Sequence, residues 1–128
     1  MTQALGITQI GRFDFSPILA GDFPKVTNEV ILATGSVYQQ GSVLGKVTAS
    51  GLCVLVNSAN SDGSEKPYAV LAETVDATTV EAKGVAWLTG EFARAHLIFG
   101  GSDAWETHEQ AAREVSIFFK ETRQAPNE

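Results

Sequence analysis

A single cysteine excludes an internal disulfide. Cys53 sits in the apolar run Leu52-Cys53-Val54-Leu55-Val56 with no cationic neighbour in sequence. An inert core thiol is expected there, in a protein folded in a reducing cytoplasm. Basic residues are scarce too: nine Lys and Arg stand against fifteen Asp and Glu, giving a net charge of −6 and a pI near 4.8. They form no cluster, which argues against nucleic-acid backbones and anionic membranes as partners. No apolar stretch approaches the roughly 20 residues that span a bilayer. Without a basic start or a continuous apolar region at the N-terminus, a secretory signal is not expected.

Catalytic signatures are equally thin. The two histidines, His96 and His108, lie in no metal-ligand spacing, and no nucleophile elbow or nucleotide-binding fingerprint occurs. Gly100-Gly101-Ser102-Asp103 opens a predicted helix, but Asp103 is expected to fill the anion position itself as the cap. The acidic residues Asp62, Glu65, Glu73, Asp76, Glu81 and Glu91 are spread through turns, where carboxylates usually serve local backbone. The expectation is therefore no enzyme, with no catalytic, cofactor-binding or metal-ligating residues and no cofactor.

What is present is a globular composition, 44% hydrophobic and 19% charged over 128 residues, enough for one domain with its own core. From Val26 the pattern is that of short strands. Candidates are Val26–Ala33, Ser42–Thr48, Leu52–Val56, Tyr68–Ala72 and Gly84–Thr89, with a shorter one around His96–Phe99. Two polar connections, Asn57–Pro67 with its Asp62-Gly63 turn and Glu73–Gly84, separate them. The period then changes. Asp103 followed by Glu106 has capping-box spacing, and Trp105, His108, Ala112 and Val115 recur at helical intervals. One helix over about Ala104–Glu114 is expected, then a final strand at Ser116–Phe119. The fold class is α+β and β-rich: a small compact mixed domain of short strands, one helix near the C-terminus and an extended N-terminal arm.

One strand raises a question of its own. In "GSVLGKVTASG" (Gly41–Gly51) a glycine, Gly45, interrupts an otherwise alternating strand. Mid-strand glycine marks a bend, a bulge or a second backbone passing close by.

The first part of the chain is unusual. Leu5, Ile7, Ile10, Phe13 and Phe15 stand among Gly6, Gly11 and Pro17, which preclude a long helix. Two readings are open: the segment covers an edge of its own domain, or it stays extended until it adds as a strand to another protein.

Several stretches in order resemble the bacteriophage lambda-type head decoration protein family. They are "LAGDFPKVTNEVILATG" (Leu19–Gly35), "GSVLGKVTASG", "SDGSEKPYAVLAETVDA" (Ser61–Ala77), "TGEFARAHLIFGG" (Thr89–Gly101) and "VSIFF" (Val115–Phe119). Gln40 is a departure, standing where members often carry a basic residue. The resemblance implies a structural protein of the phage virion. Such proteins bind the outside of the expanded head as homotrimers at local threefold points, contact the major capsid protein, and clamp the shell against packaged DNA. It also implies an arm that orders by pairing with a capsid-protein strand, with host cytoplasm as the site of assembly. Residues 1–20 then form the capsid-binding arm, 21–120 the β-rich body and 121–128 a flexible polar tail. Leu5, Ile7, Ile10, Phe13 and Phe15 are the expected capsid anchors. Two rival readings compete. One is an intracellular β-barrel binding or carrier module, because "GSVLGKV" is faintly similar to lipoyl-type strands. The other is a small enzyme using Asp62 and Asp76.

Overall fold

The alternation beginning at Val26 does form a strand, β1 (Val26–Leu32), in the computed structural model, which describes residues 18–121. β2 (Ser36–Tyr38), β3 (Val43–Lys46), β4 (Cys53–Leu55), β5 (Ala69–Leu71) and β6 (Val75–Ala77) follow. The twelve-residue β7 (Ala82–Ala93), a short 3-10 turn (Arg94–His96), helix α1 (Trp105–Glu114) and β8 (Ile117–Lys120) complete the order. The α+β, β-rich expectation holds.

Six strands make one sheet in the order β1-β4-β3-β5-β7-β8. β1 also pairs antiparallel with β7, from Val26↔Thr89 to Leu32↔Ala82, so five of the strands close into a ring. β8 extends the sheet beyond the ring, parallel to the far half of β7 (Gly90↔Ile117 to Ala93↔Lys120). β2 and β6 form a separate antiparallel ribbon.

Strand alternation then builds two cores, one on each face of the wall. Val30, Leu32, Leu44, Cys53, Ala69, Leu71 and Ala86 come from all five ring strands and fill the interior, joined by Tyr38, Val75 and Ala77 of the ribbon. The next residues along, Val43, Val70 and Trp87, point the other way and pack with Ile18, Phe92, Ala112, Ile117 and Phe119. Cys53 is buried within the ring, and burial pushes its thiol up to about 11, so it stays protonated at neutral pH.

Three expectations need correction. The segment around His96–Phe99 is a 3-10 turn followed by a single bridge from Ile98 to Ser42, not a strand. The connection Glu73–Gly84 hides strand β6, and Ser36–Tyr38, which lies outside every expected strand, is its partner. Helix α1 is capped at Ala104 rather than at Asp103: the Thr107 hydroxyl accepts the Ala104 N–H at 3.2 Å. His108 and Ala112 face the core as expected, Trp105 is half-buried, and Val115 is exposed.

Gly45 answers its question through packing. It pairs with Val54 within the sheet, and the Asp62-Gly63-Ser64 turn crosses directly over it. A Cβ there would lie 2.2 Å from the Ser64 carbonyl oxygen and 2.7 Å from its C and Cα. The glycine admits a second backbone and bends around no ligand.

Candidate functional site

The expected anchors Leu5, Ile7, Ile10, Phe13 and Phe15 lie outside the described residues. What the structure does define is how the chain from Ile18 onward is fixed to the body. Ile18 is buried among Phe92, Ile117 and Phe119. Its carbonyl accepts the Ala93 N–H at 2.6 Å, Leu19 bridges Phe92, and the Ala20 N–H donates to the Glu91 carbonyl at 3.0 Å. Residues 18–20 thus run antiparallel to the end of β7, on the side away from β8.

The strap continues tightly. The Glu91 side chain passes over Gly21, with its Oε1 only 1.4 Å from where a Cβ would stand, so a larger residue there would have to turn that carboxylate aside. Phe23 meets Phe118 edge-on at 4.9 Å. The Thr89 hydroxyl donates to the Pro24 carbonyl at 2.8 Å and accepts the Val26 N–H at 3.1 Å. This hydroxyl bridges the backbone where the register between β1 and β7 shifts. Residues 18–32 are in effect one interrupted strand laid along the whole of β7.

Around the strap's N-terminal end lie Arg94, stacked 3.9 Å over the Trp105 ring and 3.3 Å from Glu121. Lys120 lies 3.5 Å from Glu91. Exposed pairs of this kind add at most about 1 kcal/mol each, so apolar burial and the backbone bonds hold the strap.

The carboxylates considered for chemistry are engaged in turns. Asp62 accepts both the N–H and the hydroxyl of Ser64, and Asp76 does the same with Thr78. The serine and threonine hydroxyls, and then their N–H groups, hold both carboxyls below the usual range. A general acid at neutral pH needs the opposite shift. Lys46 ends β3 with its ammonium 5.0 Å from the Tyr68 ring, away from any hairpin tip, unlike a carrier lysine. The Gln40 amide is spent on the Ala72 carbonyl at 3.1 Å, inside the fold. Among the described residues no group of three or more His, Cys, Asp or Glu could hold a metal ion.

A polar cluster around the buried His108 has no signal in the sequence. Asp103 accepts the Ser58 N–H and hydroxyl at 2.7 Å each, and its Oδ2 lies 2.7 Å from Nε2 of His108. His108 is buried and stacks on Phe99 at 5.7 Å. The cluster ties the loop after β4 to the start of α1, two segments some forty-five positions apart. No local pattern could reveal it. The Ser58 hydroxyl, then its N–H, and more weakly His108 hold the Asp103 carboxyl below its ordinary range. A depressed folded pKa stabilises fully above the unfolded value near 4, and that contribution is lost as pH falls through the lower folded value. Asp103→Asn is therefore expected to melt several degrees below wild type at pH 7. The gap should narrow as both proteins are taken well below the ordinary carboxylate value near 4. Calorimetry at the two pH values checks this, and a constant gap would contradict it.

The family model of bacteriophage lambda head decoration protein D matches residues 14–117. No curated protein matches the chain.

Proposed function

This chain belongs to the bacteriophage lambda head decoration protein D family, a family with a structural role on the phage capsid, and we propose that it works as a clamp. In this reading three copies assemble at each local threefold point on the outside of the expanded head. Each sends residues before Ile18 to pair with a strand of the major capsid protein. The bound trimers then hold neighbouring capsid subunits against the pressure of packaged DNA. The observation that carries the reading is the family match, which covers the closed body, the strap and the last residues before it.

Two features support it. The strap anchors the chain by main-chain bonds at Ile18 and Ala20, so a pull on the preceding residues passes straight into β7, the longest strand of the sheet. Asp62, Asp76, Asp103 and His108 are committed to structural hydrogen bonds, which suits a protein that supplies shape rather than chemistry.

The test is co-sedimentation of the full-length protein with shells before and after expansion, alongside its mass in solution by light scattering. Saturable binding to expanded shells only, with raised resistance of those shells to heat or chelators, is the expected outcome. Absence of binding to shells in either state would overturn the reading.

A further inference from the structure

The outward face of β7 is covered at one end and bare at the other. At Trp87 it lies beneath Phe92 and the outer core. Two residues earlier Val85 is 43% exposed, and Ile31 on the neighbouring β1 is 40% exposed. Val80, in the turn leading into β7, is 66% exposed. The register sets Glu29 opposite Val85 and Lys83 opposite Ile31. Residues directly opposite in an antiparallel pair share a face, and diagonal neighbours lie within side-chain reach. The four side chains therefore make one block, with the aliphatic pair on one diagonal and a carboxylate and an ammonium on the other. All four are exposed, and neither Glu29 nor Lys83 makes an ion pair among the described residues.

We propose that this block is a contact between copies of the chain, with Glu29 of one copy meeting Lys83 of the next around Ile31 and Val85. The inference rests on the trimer reading above and names its contact face. Charge complementarity selects the occupant. A protein of net charge −6 repels its own kind over most of its surface. Here the same small block supplies both signs beside an apolar centre, so each copy can meet one neighbour through Glu29 and the other through Lys83. A partner of one sign would leave either Glu29 or Lys83 facing a like charge. Because the two groups occupy different positions, the contact can be head-to-tail, the kind that closes into a ring. Val85 lies roughly 25 Å along β7 from Ala93, where the chain preceding Ile18 departs. Self-association at one end therefore leaves the other free for the shell.

Charge exchange tests the contact without disturbing either core. Light scattering behind a sizing column should show a wild-type trimer. Glu29→Lys and Lys83→Glu should each weaken self-association by about tenfold or more, because like charges then meet across the contact. The double variant Glu29→Lys/Lys83→Glu should recover it, with far-UV circular dichroism of all three unchanged from wild type. Single variants that associate as well as an oligomeric wild type, or a double variant no better than the singles, would overturn the inference. Those outcomes leave the capsid reading intact. A wild type that is monomeric at every concentration would also overturn it, and shell co-sedimentation then judges the capsid reading on its own.

Discussion

Gly45→Ala should destabilise the body by about 3 kcal/mol or more, at the upper end of what overpacking a well-filled site costs. Its Tm should fall on the order of 10–20 °C. The reason is what the new methyl group would meet. A clash with the end of a flexible side chain is relieved by a rotamer change, but the Ser64 carbonyl oxygen, C and Cα are main-chain atoms. The turn carrying them has little freedom to retreat. The Ser64 carbonyl accepts the Asn57 N–H, and the Ser64 N–H donates to Asp62. The Asp62 carbonyl accepts the Thr48 N–H, and Asn60 reaches the Ser64 hydroxyl. Ser64 itself is fully buried. Moving the turn would break the bonds of the buried Ser64, where each unpaired group costs about 1–3 kcal/mol.

Gly51→Ala is the control that separates crowding from backbone strain. Gly51 has φ +77, and the nearest atom to its missing Cβ is Lys46 Cε at 3.9 Å. It should lose only the left-handed penalty of about 1–2 kcal/mol. Gly45 is not in the left-handed region, so its loss is pure overlap. Chemical denaturation of both variants decides the order. Truncating the turn's side chain, as in Gly45→Ala/Ser64→Ala, should recover nothing. A double variant as stable as wild type would show that the crowding involves side chains after all.

How much of this fold the sequence discloses depends on how local each cause is. β1, β3, β4, β5, β8 and α1 were legible because their alternation or helical period is written in consecutive residues. β2 and β6 were not: each is three residues long, and each exists because the other lies opposite it, nearly forty positions away. Ring closure has the same character, since β1 and β7 pair over a separation of fifty positions or more. Asp103 carried a correct helix-start pattern, yet its carboxylate is bound by Ser58 and His108, and Thr107 serves the helix end instead. Gly45 was legible as an irregularity in a strand, while the identity of the crossing backbone was not. The apolar residues from Leu5 to Phe15, proposed as anchors, stood out in sequence against the breakers around them. The strap that fixes their root to Ala93 did not, because Ile18 and Leu19 look the same in sequence whether they begin a core or continue an arm.

That strap bears on the second large effect, removal of residues 2–16. Deletion should leave the melting transition of the body within a degree or two of wild type, because buried packing is already established at Ile18. Attachment to expanded shells should fall below detection. The energetics explain why the loss is complete. Burying a large apolar side chain contributes about 1.5–3 kcal/mol, while ordering each backbone residue costs about 1–2 kcal/mol. One arm with anchors at Leu5, Ile7, Ile10, Phe13 and Phe15 therefore comes out near balance and would bind weakly alone. Three arms on one rigid assembly bind at high effective concentration once the first has docked, and small gains per arm multiply. The same reasoning predicts steep sensitivity to single anchors. In an extended segment neighbouring side chains point to opposite faces, so Phe13→Asp should weaken attachment by far more than Asp14→Ala. In the proposed trimer each lost anchor would be felt three times. Titration of shells with the two variants distinguishes them, and equal losses would mean the arm does not dock as an extended strand. Shells that bind the truncated protein at full affinity would place the capsid contact on the body instead.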